Sequence, residues 1–169
     1  MNKILIIYGT RKGTTAETVD VIASVLRDKF SSSVDLADSS QIRKYKERFD
    51  EYDFLIIGSS IVSGRWKSKV LSFAKKKFLA GKKVAVFVTA GGTLNKVAKY
   101  GYTKEAAVKE AIEKYIGKYE KKFKFTPVLK GAFGGKVIKK GKEKYNSWNR
   151  EDIENWATGL GEILTRKQM

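Results

Sequence analysis

Unbroken apolar runs, each followed by a stretch of helical periodicity, constrain this chain more than any other feature. Ile4-Leu5-Ile6-Ile7-Tyr8, Phe54-Leu55-Ile56-Ile57 and Val84-Ala85-Val86-Phe87-Val88 carry no charged residue. A strand with one wet face alternates apolar and polar residues, whereas a strand apolar throughout is covered on both faces. Thr126 to Phe133 is a weaker run opened by Pro127, the only proline, and Ser33 to Leu36 reads as a short extra strand. Between these runs the period changes to that of helices. Thr14 to Phe30 sets Val19, Ile22, Ala23 and Leu26 on one face, and Lys67 to Leu79 does the same with Val70, Phe73, Ala74 and Phe78. Thr103 and Asn149 are placed as N-caps of two further helices, the last one carrying Ile153, Trp156, Leu160 and Leu164. Ser39 to Phe49 reads as a short helix and the Gly/Lys stretch 134–149 as a long loop. Five strands alternating with five helices predict an α/β fold, a doubly wound parallel sheet with helices on both faces. At 169 residues the chain is expected to form one domain, 1–169.

Composition removes whole classes of chemistry. With no cysteine and no histidine, the chain offers no thiol nucleophile, disulfide, iron–sulfur ligand or His-based triad. No metal site and no catalytic side chain is expected. The first apolar run is too short for a signal peptide, and no stretch approaches the roughly 18 to 20 apolar residues of a membrane span. A soluble, cytoplasmic protein is the expectation.

The net charge of +17 is unevenly placed. Residues 1–53 are balanced, but Phe54 to Lys104 contains no acid. It carries Arg65, Lys67, Lys69, Lys75, Lys76, Lys77, Lys82, Lys83, Lys96, Lys99 and Lys104. Residues 118–150 are also strongly basic. Such an excess reads either as a solvated lysine surface or as a docking face for an anion, if the basic segments converge. No aromatic-plus-basic nucleic-acid motif is present, so nucleic acid is not the expected partner.

In sheets of this kind ligands bind beyond the carboxyl ends of the strands. After the first strand comes Gly9-Thr10-Arg11-Lys12-Gly13-Thr14-Thr15, opening a helix. Hydroxyls and backbone N–H groups at a helix start suit a phosphate, and the helix dipole favours its charge. The segment is neither a P-loop nor the G-x-G-x-x-G fingerprint. A well-capped turn is the plain alternative on these residues alone.

Thr10 to Thr15 resembles the FMN-phosphate loop of flavodoxins, and Thr-Arg-x-Gly-x-Thr is most similar to menaquinone-dependent protoporphyrinogen oxidases of that fold. Ile57-Gly58-Ser59-Ser60-Ile61, Lys130-Gly131-Ala132-Phe133-Gly134-Gly135 and the last helix with Trp156 extend the resemblance along nearly the whole chain. The resemblance implies a flavodoxin-like sheet of order 2-1-3-4-5 and FMN as cofactor. It implies that Thr10, Arg11, Lys12, Gly13, Thr14 and Thr15 hold the phosphate. A second flavin loop would be Ser59, Ser60, Ile61, Val62, Ser63, Gly64, Arg65 and Trp66, and a third Thr89, Ala90, Gly91, Gly92 and Thr93. Trp66 is the expected stacking residue, or else a core residue pointing inward; Tyr100 and Tyr102 are alternates. Trp148 reads as a hydrophobic staple for the last helix.

Ordinary flavodoxins are acidic at the flavin end, and this chain is basic there. The oxidases carry a long insert after the fifth strand, where this chain has only 134–149. Three functions follow: an FMN-dependent redox protein, carrier or oxidoreductase, with an anionic partner; a protoporphyrinogen-oxidase-like flavoenzyme; or a non-catalytic binding module for an acidic partner.

Overall fold

A computed structural model describes residues 1–166. Five strands form one parallel sheet: β1 (Lys3–Gly9), β2 (Ser33–Asp38), β3 (Phe54–Ser60), β4 (Val84–Thr89) and β5 (Lys130–Phe133), in the order β2-β1-β3-β4-β5. This is the order expected. Every pairing is parallel, so each connection crosses from one end of the sheet to the other.

Side-chain alternation along the three central strands builds two cores. Leu5, Ile7, Leu55, Ile57, Val84 and Val86 point to one face. There they meet Val70 and Phe73 of α2 (Ser68–Ala74) and Ala107 and Ala111 of a later helix, Lys104–Tyr115. Ile4, Ile6, Phe54, Ile56, Ala85 and Phe87 point to the other face. They pack on Val19, Ile22 and Leu26 of α1 (Thr14–Phe30) and on Ile153, Ala157 and Leu160 of the C-terminal helix, Arg150–Arg166. The side chains of β3 and β4 are buried throughout.

Several elements differ from the sequence reading. Residues 39–49, read as a helix, instead hold a 3-10 turn at Ile42–Tyr45, and a second turn spans Phe49–Glu51. The helix expected over 67–79 stops at Ala74, with Lys75 as its C-cap, and Lys77–Leu79 forms one 3-10 turn. β2 extends two residues further, to Asp38. After β4 come two short helices that no periodicity marked, α3 (Gly91–Leu94) and α4 (Lys96–Tyr100), before α5 (Lys104–Tyr115). The stretch 134–149 contains an antiparallel hairpin, β6 (Lys136–Lys139) and β7 (Lys142–Asn146), ahead of α6 (Arg150–Arg166). Lys140 and Gly141 at its tip both have positive φ, 52° and 73°. That is the geometry of a two-residue primed turn, whose twist matches a hairpin.

Both expected caps are present. The Ala106 N–H donates to Thr103 Oγ1 at 3.1 Å, and the Asp152 N–H to Asn149 Oδ1 at 3.1 Å. Trp148 packs on the α1 side of the sheet, its indole donating to Thr18 Oγ1 at 3.0 Å.

Gly58 pairs with Phe87 at the centre of the sheet, and a Cβ there would stand 2.0 Å from the Phe87 ring. The ring fills the space a side chain on β3 would need. Gly58→Ala is expected to destabilise the fold by roughly 1–3 kcal/mol or more through overpacking. Phe87→Leu in the same chain is expected to recover part of that loss. Chemical denaturation of the two single variants and the double variant measures the non-additivity.

Candidate functional site

The carboxyl ends of β1, β3 and β4 open into one cleft of about 540 Å3. That lies within the roughly 300–1,000 Å3 of small-molecule sites. Three strand-to-helix loops and the inner strand of the β6–β7 hairpin form its walls.

The first loop turns from β1 into α1. Gly13 sits at the N-cap with φ 83°, a left-handed conformation that favours glycine. Its N–H donates to Thr10 Oγ1 at 2.9 Å, which closes the turn and leaves the Thr10 hydroxyl hydrogen for another acceptor. The N–H groups of the first turn of α1, at Thr14 and Thr15, have no acceptor within the helix. Thr15 is fully buried and its hydroxyl lies 2.7 Å from that of Thr89 on β4. Two hydroxyls sharing one bond leave one buried hydrogen undirected. These donors converge where the helix dipole is positive, which is an arrangement for an anion.

The two cations of this loop are engaged elsewhere. Arg11 spans to the second loop: its guanidinium donates to the carbonyls of Ser60 (3.2 Å), Arg65 (3.0 Å) and Trp66 (2.7 Å). Lys12 donates to the Ile138 carbonyl of the hairpin at 3.1 Å. Lys67 closes a third tie, donating to the Thr10 carbonyl at 3.0 Å. Arg11 and Lys12 line the cleft, but their charged ends fasten its walls to one another.

The second loop folds back as a tight turn. Val62 and Arg65 exchange N–H···O bonds of 3.1 Å across Ser63 and Gly64, both at positive φ (51° and 74°). Ser60, Ile61, Val62, Ser63 and Gly64 all line the cleft, with Val62 exposed. From the third loop Thr89, Ala90, Gly91, Gly92 and Thr93 line it, the last four as the N-cap and first residues of α3.

Gly13, Ser59 and Trp66 do not line it. Ser59 is fully buried, its hydroxyl donating to the Ser60 carbonyl and accepting from the Lys67 N–H. Trp66 is only 3% exposed, packs against Tyr119 and Phe123, and donates its indole N–H to the Tyr115 carbonyl at 2.6 Å. The stacking role expected of Trp66 is therefore not met. A large ring that finds both apolar neighbours and a buried acceptor belongs to the core. Tyr100 and Tyr102 are exposed outside the cleft.

Lys114, Tyr115, Val137 and Ile138, to which sequence reasoning gives no part in this site, complete it, together with Gly135 and the cations Lys96, Lys136 and Lys139, whose loops the sheet order brings to this end. The Lys140-Gly141 turn was the available signal for the hairpin. Among the described residues no carboxylate lines the cleft. Lys96 pairs with Glu110 behind it at 2.6 Å, and that hydrogen bond holds its ammonium above the ordinary lysine range. The charge of two distant sequence segments thus meets at this edge.

The Flavodoxin domain model matches residues 5–160. The chain belongs to the flavodoxin domain family. No curated protein matches the sequence. Among solved structures, oxidised Flavodoxin 2 from Bacillus cereus is 22% identical, with a TM-score of 0.59 over 95% of this chain and 99% of that one. A short-chain flavodoxin associated with a non-canonical PDU bacterial microcompartment is 16% identical, with a TM-score of 0.60 over 96% of this chain and 99% of that one. Rubredoxin oxygen:oxidoreductase from the anaerobe Desulfovibrio gigas is 18% identical, with a TM-score of 0.62 over 99% of this chain but 37% of that protein. At these identities the likeness is one of fold. Among the described residues no helix is long and apolar enough to cross a membrane.

Arg11 is expected to hold the second flavodoxin loop to the first. Hydrogen bonds to a charged donor contribute about 1.5–3 kcal/mol each when both partners are ordered. In Arg11→Gln, hydrogen exchange at the Val62 and Arg65 amides should accelerate while the β3 amides stay protected. Arg11→Lys should not restore protection, because one ammonium cannot span three carbonyls as a planar fork does. Unchanged exchange at Val62 and Arg65 would remove the clasp from the account.

Proposed function

We propose that the whole chain, 1–169, acts as one cytoplasmic FMN-binding electron-transfer domain with an anionic partner. The observation that carries this reading is that undirected donors of Thr10, Thr14, Thr15 and Thr89 line one cleft, in which, among the described residues, there is no carboxylate. FMN presents a terminal dianionic phosphate on a flexible stem, and that donor set fits it. When bound, FMN supplies one- or two-electron chemistry, for which no cysteine or histidine of the protein is needed.

The chain's own residues have three tasks. The phosphate loop binds, with its donors arranged before the ligand arrives. The Arg11 and Lys67 ties hold the second loop at a fixed distance from the first, and the backbone of Gly91 and Gly92 borders the space for a flat ring. Val62, Val137 and Ile138 line that space and exclude water with aliphatic side chains. The hairpin cations Lys140 and Lys142 stand exposed beyond it, with no carboxylate within 4 Å among the described residues. A positive field of this kind raises association rates with anions and is screened by salt.

A second reading, an oxidoreductase of the menaquinone-dependent protoporphyrinogen oxidase type, is favoured by the β6–β7 hairpin. It provides a wall over the cleft where a pure carrier needs none. Turnover of a porphyrinogen by the FMN-loaded protein separates the two readings.

Thr15→Val removes one of the two buried hydroxyls. It is expected to weaken FMN binding by about 1.5–3 kcal/mol, the range for a hydrogen bond to a charged group. Absorbance titration of the flavin-free protein measures it, and an unchanged dissociation constant would reject the loop assignment.

For the partner, electron transfer from the reduced protein to an acidic and to a basic acceptor is compared across a salt series. Lys140→Glu with Lys142→Glu should slow only the acidic acceptor, and most at low salt. An equal slowing by Lys75→Glu with Lys76→Glu would mean that the charge acts diffusely.

A further inference from the structure

Beside the flavin cleft lies a second cavity of about 530 Å3, between α3–α4 and the β6–β7 hairpin. The two share a wall at Gly92, Lys96 and Lys139. The second cavity is lined by Lys96, Lys99, Lys139, Lys144, Tyr100 and Tyr145, with no acidic residue among the described ones. Only Lys96 has a carboxylate partner, Glu110. Lys99, Lys139 and Lys144 have none within 4 Å among the described residues. Three uncompensated ammonium groups around one concavity repel each other, and an anion placed among them relieves that repulsion.

The chemistry of the lining narrows the anion. Planar carboxylates are best received by the fork of arginine, and the cavity has no arginine. Lysine is a point charge that needs no planar partner, and several ammonium groups around one concavity suit a phosphate, whose charge is spread over oxygens pointing in several directions. The tyrosines add aromatic faces. Tyr100 is 63% exposed, and the Lys99 ammonium lies over its ring, 5.4 Å from the ring centre, so an exposed aromatic ring and a charge are held together. Aromatic faces beside phosphate-binding cations are what a stacked base with attached phosphates requires.

We propose that this second cavity is a binding pocket for a phosphorylated nucleotide, its base against Tyr100 and Tyr145 and its phosphates among Lys99, Lys139 and Lys144. The pocket rests on the flavin reading of the neighbouring cleft only in that bound FMN closes the phosphate loop to the same ligand. Its place is fixed by the protein's own residues on α4 and on the hairpin.

The test uses FMN-loaded protein and three probes: ADP, adenosine and inorganic pyrophosphate. ADP is expected to shift the NMR amide signals of residues 95–100 and 144–145 and to leave those of residues 10–15 in place. Adenosine, which lacks the charge, and pyrophosphate, which lacks the ring, are each expected to bind at least roughly tenfold more weakly. Lys99 and Lys144 line this cavity but not the flavin cleft. Lys99→Glu with Lys144→Glu should therefore lower ADP affinity at least roughly tenfold while the FMN dissociation constant stays the same. The proposal is overturned if pyrophosphate binds as tightly as ADP, if the double variant binds ADP unchanged, or if the shifts fall at residues 10–15. If the protein holds no FMN, the flavin reading fails by itself. ADP titration of the flavin-free protein, mapped on residues 95–100 and 144–145, then still decides the pocket.

Discussion

Burial of the central strands on both faces is the constraint on which the rest depends. Leu5, Ile7, Leu55 and Ile57 serve one core, and Ile4, Ile6, Phe54 and Ile56 the other. With both faces covered by helices, ligands have only the sheet's ends. At the carboxyl end each chain crossing leaves a loop and, after β1 and β4, a helix start. The cleft arises there because the β1–α1 and β4–α3 crossings leave the sheet on opposite faces, the arrangement that opens a crevice in doubly wound sheets. Phe87, lying where Gly58 has no side chain, shows how tightly the layer beneath that cleft is filled.

Electrostatics then distinguishes this cleft within its fold. A cation placed near an anion site is readily taken as a ligand contact, yet Arg11 spends its donors on three backbone carbonyls and Lys12 on a fourth. Their charge still acts on an anion through space, but their hydrogen bonds shape the walls. On the proposed reading, direct contact with the phosphate falls to neutral donors, hydroxyls and helix-start N–H groups, which cost less to desolvate than an unpaired ammonium or guanidinium would. Lys99, Lys140, Lys142 and Lys144, which have no carboxylate within 4 Å among the described residues, lie outside this inner set.

The sequence made the frame legible because its signals were redundant. The apolar runs of β1, β3 and β4 have no competing interpretation, and Thr103 and Asn149 cap where their hydroxyl and amide chemistry requires. The turn from β1 into α1 was legible for the same reason: small hydroxyl residues, a glycine and a helix start coincide, and Gly13 has the positive φ that glycine permits. What failed was what depends on tertiary contact. Trp66 is equally suited to a ring stack or to a core, and only the Tyr115 carbonyl and the Tyr119 and Phe123 rings decide for the core. The hairpin at 136–146 was read as a loop because its strands lack clean alternation, although Lys140-Gly141 marked its turn. The short helices after β4 carry too few residues to show a period.

The central claim is that the cleft recognises a phosphate at the start of α1 and is thereby a flavin mononucleotide site. FMN and riboflavin share the ring and the ribityl chain and differ only in that phosphate. Their dissociation constants for the flavin-free protein, measured side by side, therefore isolate it. The account predicts FMN binding at least about 100-fold tighter, the equivalent of two hydrogen bonds to a charged group. Equal affinities would place the flavin without the phosphate loop and contradict the account.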